Sequence, residues 1–222
     1  MPPNPREFHM SRIHLTVRTI ATAAAGALAA AAVVGAAPAQ AAPSGTTSLA
    51  EVLAADGNKL DRNWDDFDIV EKAVYAVLEA KPDSDVAVLA DGGTALTAFV
   101  PTDRAFRKLV TDVTGDRLAT EKGVLRAVTG FADVDTLEAV LLYHVVPGAT
   151  IRYAQARAAD GASLDTAQGG TLKVNVVGDA VRLKDADKDD RNATVIRAAK
   201  NINKGNVQIA HGIDRVLRPI DL

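Results

Sequence analysis

Two histidines, His144 and His211, lie beyond the apolar N-terminal run of this 222-residue chain, and they are the side chains best suited to acid–base chemistry. An imidazole can act as general base for a hydroxyl nucleophile. The serines in the same part of the chain are Ser44, Ser48, Ser84 and Ser163. None sits in a G-x-S-x-G elbow, and the nearest context, Gly161-Ala162-Ser163, lacks the elbow. A hydrolase would need the fold itself to bring His144 or His211 to Ser163. There is no H-E-x-x-H, no glycine-rich phosphate loop and no dinucleotide fingerprint, so no cofactor is expected. The chain has no cysteine, which excludes thiolate nucleophiles, iron–sulfur clusters, disulfides and cysteine-ligated zinc.

Charged residues form two further groups. Asp185, Asp187, Asp189, Asp190 and Asn192 alternate in the manner of a Ca²⁺ loop. Asp190 stands where such a loop needs glycine, and Ile196 where it needs glutamate. Lys188 and Arg191 partly neutralise the run, which reads as a solvated hairpin tip. Asn192-Ala193-Thr194 fits the N-glycosylation pattern. On one side of a helix after Pro101, Arg104, Arg107 and Lys108 form a basic strip. It either meets an acidic polymer or solvates an amphipathic helix.

The elements that must position these residues follow from periodicity. Ser48 with Glu51 has capping-box spacing for a short helix over 48–55. Phe67, Val70, Val74, Val77 and Leu78 share one face of a helix over 68–80, with Asp68 and Glu71 at its start and Pro82 as its stop. A strand over 95–100 ends at Pro101, and Thr102 caps a helix burying Phe106, Leu109 and Val110. Helices over 121–129, from Asp135 onward and over 153–159 follow. From Ser163 the period becomes two. Strands are expected over 171–177, 180–184, 193–197, 207–210 and 213–217, with Gly178-Asp179 as a hairpin turn. Helices mainly in the first half and strands mainly in the second predict an α+β fold.

Composition supports one globular domain: 48% of residues are hydrophobic and 24% charged. The formal net charge of -3 argues against a nucleic-acid partner. Arg12 and Arg18 precede an uncharged alanine-rich run that closes on Ala39-Gln40-Ala41, the three parts of a secretory signal peptide. The run is long enough to span a bilayer, but alanine is weakly hydrophobic and Pro38 lies near its end. Residues 1–41 therefore read as a cleaved signal peptide, so a membrane is met only during export. Residues 42–65 read as a linker and N-terminal extension, and 66–222 as the domain.

Three segments fall in a familiar order. Thr97-Ala98-Phe99-Val100-Pro101-Thr102-Asp103-Arg104-Ala105-Phe106, Leu142-Tyr143-His144-Val145-Val146-Pro147-Gly148 and His211-Gly212-Ile213-Asp214-Arg215-Val216-Leu217-Arg218-Pro219 together resemble the signature motifs of fasciclin domains. The small secreted bacterial single-domain members are the nearest analogy. The resemblance implies a wedge of two small β-sheets covered by helices. It also implies an extracellular adhesion or interaction role without catalysis, toward a protein or a cell-wall or matrix polysaccharide. In animal members the Tyr-His segment has been linked to integrin binding, a role that would fall here on Tyr143 and His144.

The motif residues have a physical reading of their own. Phe99 and Phe106 flank a strand-to-helix corner, Pro101 fixes its φ, and Thr102 satisfies helix-start donors. Tyr143 and His144 are expected to be buried, the imidazole bonded to the Thr102–Asp103 corner. His211 belongs to the same structural set, and Asp214 is expected to cap or pair near the last strand. The competing function is carriage of a small apolar ligand inside the wedge.

Overall fold

A computed structural model describes residues 45–57 and 59–220. The expected signal peptide and the first residues of the expected linker lie outside the described residues. No helix among the described residues is long and apolar enough to cross a membrane.

Five helices come mainly from the first half: α1 (Leu49–Leu53), α2 (Asp68–Ala80), α3 (Asp103–Thr114), α4 (Glu121–Phe131) and α5 (Val134–Tyr143), and α6 (Tyr153–Ala158) follows them. Strands β1 (Leu96–Pro101), β2 (Val145–Pro147) and β7 (Gln208–Ile213) form one sheet in the order β2-β1-β7. Here β1 runs antiparallel to β2 and parallel to β7. Strands β3 (Ser163–Asp165), β4 (Thr171–Val177), β5 (Ala180–Lys184) and β6 (Ala193–Thr194) form an antiparallel meander. This is the expected α+β arrangement of two small sheets.

The central strand β1 is buried along its whole length because both of its faces are covered. Its side chains alternate between two cores. Leu96, Ala98 and Val100 join Ile69, Val74, Val110 and Val124 under the helices. Phe99 points the other way, toward Leu172, Val174, Val181 and Leu183 of the meander. The meander has one wet face, so Lys173 and Asn175 of β4 stay exposed while Leu172 and Val174 are buried.

The helix over 68–80 and both strands of the 171–184 hairpin stand as the sequence predicts. Three expectations are corrected. The helix expected from Asp135 starts at Val134, because Asp133 accepts the Thr136 amide at 2.8 Å and caps it. The strand expected over 193–197 stops at Thr194 and turns into a 3₁₀ turn over Arg197–Ala199. The two strands expected over 207–210 and 213–217 are one strand, β7, which ends at Ile213. The segment read as linker and extension carries α1, whose Leu49 is buried in the helical core.

Candidate functional site

The strand-to-helix corner is built from β1 and α3. Phe99, Thr102, Asp103 and Phe106 are all buried there, and Pro101 ends the strand. Thr102 has the extended backbone of a cap, but its side chain caps nothing. The first α3 donors go elsewhere: the Asp103 amide donates to the Asp66 carbonyl at 3.0 Å and the Arg104 amide to the Trp64 carbonyl at 2.9 Å. The corner is therefore closed by the 59–67 loop, which corrects the expected role of Thr102.

His144 ends α5 and is buried, as is Tyr143, whose hydroxyl donates to the Thr171 carbonyl at 3.0 Å. The His144 ring makes its hydrogen bonds elsewhere than at the Thr102–Asp103 corner. Its Nδ1 lies 2.6 Å from the Val140 carbonyl, and its Nε2 accepts the Leu217 amide at 2.9 Å. The expected partner is thus replaced by a residue that follows β7. One nitrogen must donate and the other accept, so the ring is neutral and protonated on Nδ1. Burial holds its pKa down at about 4, against a small opposing pull from the Val140 carbonyl.

His211 on β7 shows the opposite tautomer. Its Nε2 faces the Ile151 carbonyl at 2.9 Å and its Nδ1 accepts the Asn201 amide at 3.2 Å. The ring stacks on Phe99 with centroids 5.9 Å apart. Burial lowers its pKa as well. Every ring nitrogen of both histidines is engaged by main chain. Ser163 sits on the short edge strand β3 and bonds to neither ring.

Asp214 pairs with β6: its carboxylate accepts the Thr194 amide at 2.6 Å. The acidic run over 185–190 joins β5 to β6 and is only partly solvated. Asp187 is buried, and its carboxylate takes Arg218 at 2.8 Å together with the amides of Asp189 and Asp190. Burial pushes the Asp187 carboxyl up, but Arg218 and those amides outweigh it and hold the group below its ordinary value. Arg215 reaches Asp190 at 2.6 Å. Two arginines of the C-terminal motif thus neutralise the run and hold oxygens that a Ca²⁺ loop would need free.

A second acidic cluster escaped sequence reading because its members are far apart in the chain. Asp68, Asp103 and Glu121 are the first residues of α2, α3 and α4, and the 59–67 loop adds Asp61 and Asp66. One oxygen each from Asp66, Asp103 and Glu121 lies within 4.8 Å of the others, and Asp61, Asp66 and Asp68 form a similar set. Burial, then the nearby Asp66 and Glu121 charges, raise Asp103 to about 8 despite the Ile69 amide. Burial followed by the charges of Asp66, Asp61 and Asp68 raises Glu121 to about 7 despite the Asp61 amide.

On the outer face of α3, Arg104, Arg107, Lys108 and Arg117 line a depression of about 300 Å³ together with Thr111 and one acid, Asp112. Arg107 lies 3.9 Å over the Trp64 ring, and Arg104 forms a bidentate pair with Asp65 at 3.0 Å. Burial, then the charges of Arg117 and Arg104, lower the Arg107 pKa. Between α1, α2 and α5 lies an apolar cavity of about 170 Å³, walled by Leu49, Val70, Val74, Val86, Leu141 and His144. That is below the roughly 300–1,000 Å³ of ordinary small-molecule sites.

No curated protein sequence matches the chain significantly. Among solved structures, it is similar to a FAS1 domain pair from the insect cell adhesion molecule fasciclin I, at 16% identity and a TM-score of 0.51. The likeness covers 78% of this chain and 51% of that one, so the chain spans about half the length of the pair. The family model for the fasciclin domain matches residues 73–219, which hold the corner, both imidazoles and the C-terminal motif, and the chain belongs to the fasciclin domain family.

Proposed function

We propose that this chain is a secreted extracellular adhesion module that binds an acidic protein or polysaccharide through the outer face of α3 and performs no catalysis. The observation that carries this reading is the gathering of Arg104, Arg107, Lys108 and Arg117 around one depression. Like charges brought together repel one another, and an anionic partner relieves that repulsion. Trp64 and Asp65 fix two of these cations in place, so little side-chain freedom is lost on binding. The motif-bearing histidines support a non-catalytic role, since main chain occupies all their nitrogens. The kinship to a domain pair from a cell adhesion molecule supports an adhesive one.

The test is binding of purified protein to cell-wall fractions and to arrays of acidic and neutral matrix polymers. Binding should weaken with salt. Reversal of two charges, Arg107→Glu with Lys108→Glu, should weaken it roughly tenfold or more while melting stays two-state. Undiminished binding by the double variant would remove this face from the proposal.

A further inference from the structure

Three helices begin at one point, and each places an acid there: Asp68 for α2, Asp103 for α3 and Glu121 for α4. A carboxylate at a helix start is ordinarily explained by the positive end of the helix dipole. That explanation suits a solvated side chain. It does not account for Glu121, which is 1% exposed and whose carboxylate has the Asp61 amide nearby but meets no donor in good hydrogen-bond geometry among the described residues. Nor does it account for Asp103, which is 0% exposed. Its Oδ1 takes the Ile69 amide at 2.9 Å, while its Oδ2 meets no N–H donor and the Asp66 carboxyl lies against the group. Among the described residues, no lysine or arginine forms an ion pair with Asp103 or Glu121. Buried carboxylates in this situation are stable only when a proton or a cation stands between them.

We propose that Asp66, Asp103 and Glu121, with Asp61 and Asp68 beside them, form a binding site for a hard divalent cation of the Ca²⁺ class. The donors are carboxylate oxygens, the ligand type such ions prefer, with no imidazole or thiolate to favour a softer metal. Oxygens within 4.8 Å of one another fit a shared shell with Ca–O distances of about 2.3–2.6 Å. Burial favours the neutral carboxyls, so a bound cation would take the place of their protons. A bound cation would tie the 59–67 loop to α2, α3 and α4 at once. That loop already meets α3 through the Trp64 and Asp66 carbonyls. This site stands apart from the basic face and does not rest on the adhesive reading.

The full chain supplies its own reporter, because Trp64 is its one tryptophan and lies two residues from Asp66. After removal of metals with chelator, Tb³⁺ is titrated while tryptophan is excited. Saturable sensitised emission that Ca²⁺ displaces is the expected result. Melting temperature should also rise with Ca²⁺ concentration, as linkage requires. The decisive variant is Glu121→Gln, which removes a ligand charge and keeps an oxygen that can still accept from the Asp61 amide. It should melt no lower than the wild type in chelator and bind Tb³⁺ at least about tenfold more weakly. A control, Asp190→Asn in the arginine-held run, should bind as the wild type does. Absence of saturable emission and of any Ca²⁺-dependent melting shift would overturn the site in favour of trapped protons. Unchanged binding by Glu121→Gln would overturn it equally.

Discussion

The pairing of His144 with Leu217 and Val140 makes acid sensitivity a direct test of how the domain is held together. The ring is neutral in the fold because one nitrogen donates and the other accepts. Protonation would set a second N–H against the Leu217 N–H. The folded pKa is therefore held down at about 4, while the unfolded chain titrates near 6.5. Between those values the unfolded state binds more protons, so stability rises with pH across the window and is lost on acidification through it. Going from pH 7.5 to 4.5, this one group should remove roughly 2–3 kcal/mol. Asp103 and Glu121, raised by burial, act in the opposite direction over part of the same range. His211, lowered by burial, acts in the same direction as His144. A comparison with His144→Gln cancels these shared terms. Its amide oxygen can still accept from Leu217, and it does not titrate. Urea unfolding of both proteins at the two pH values is the assay. The wild type should lose roughly 2–3 kcal/mol more than the variant. Equal losses would refute the reasoning, and so would a His144 ring resonance that titrates near 6.5.

Gln208 is fully buried on β7 and makes three side-chain bonds: it accepts from the Leu49 amide at 2.8 Å and donates to the Val88 and Asp91 carbonyls at 2.7 and 2.8 Å. Gln208→Ala should cost about 3 kcal/mol in urea unfolding and raise hydrogen exchange at Leu49 first. Arg218→Met leaves the buried Asp187 carboxylate without its ion partner and should cost about 3–5 kcal/mol. Adding Asp187→Asn should recover part of that loss in thermal melts, whereas strict additivity would show that the pair is not coupled.

Much of the fold could be read from the chain because local chemistry and tertiary packing agree there. The α2 helix has its apolar face, its acids at the start and Pro82 at its end. The β4–β5 hairpin has strict alternation around Gly178, which adopts φ 59°. The failures come where distant contacts decide. His211-Gly212 looks like a break between two strands. In the structure, a Cβ at Gly212 would stand 2.6 Å from the Ala199 Cβ, so glycine lets β7 run on beneath the 3₁₀ turn. Thr102 has the type and position of a helix cap, yet carbonyls of the 59–67 loop already take the donors it would have met. The partner of His144 lies 73 residues away. No periodicity or spacing marks such a pairing. The acidic cluster was hidden in a different way: each of its helix-start acids looks ordinary alone, and only packing of three helix ends shows them together.

Both histidines do one job. Each rigid ring bridges a carbonyl and an amide where no strand ladder can reach: Val140 with Leu217, and Ile151 with Asn201. Gln208 does the same for α1 and the 85–91 turn. Buried polar groups are costly unless paired, and an imidazole or amide offers a donor and an acceptor in one fixed unit. That use explains why residues able to do acid–base chemistry are sealed away in an adhesion-type fold. It also sharpens the contrast with Glu121. A core that satisfies the nitrogens of two imidazoles and the amide of a buried glutamine has no reason to leave two carboxylate oxygens without good donors on packing grounds. The oxygens of Asp103 and Glu121 that lack good donors fall where three helix starts and a loop converge, which is the arrangement a cation would hold together.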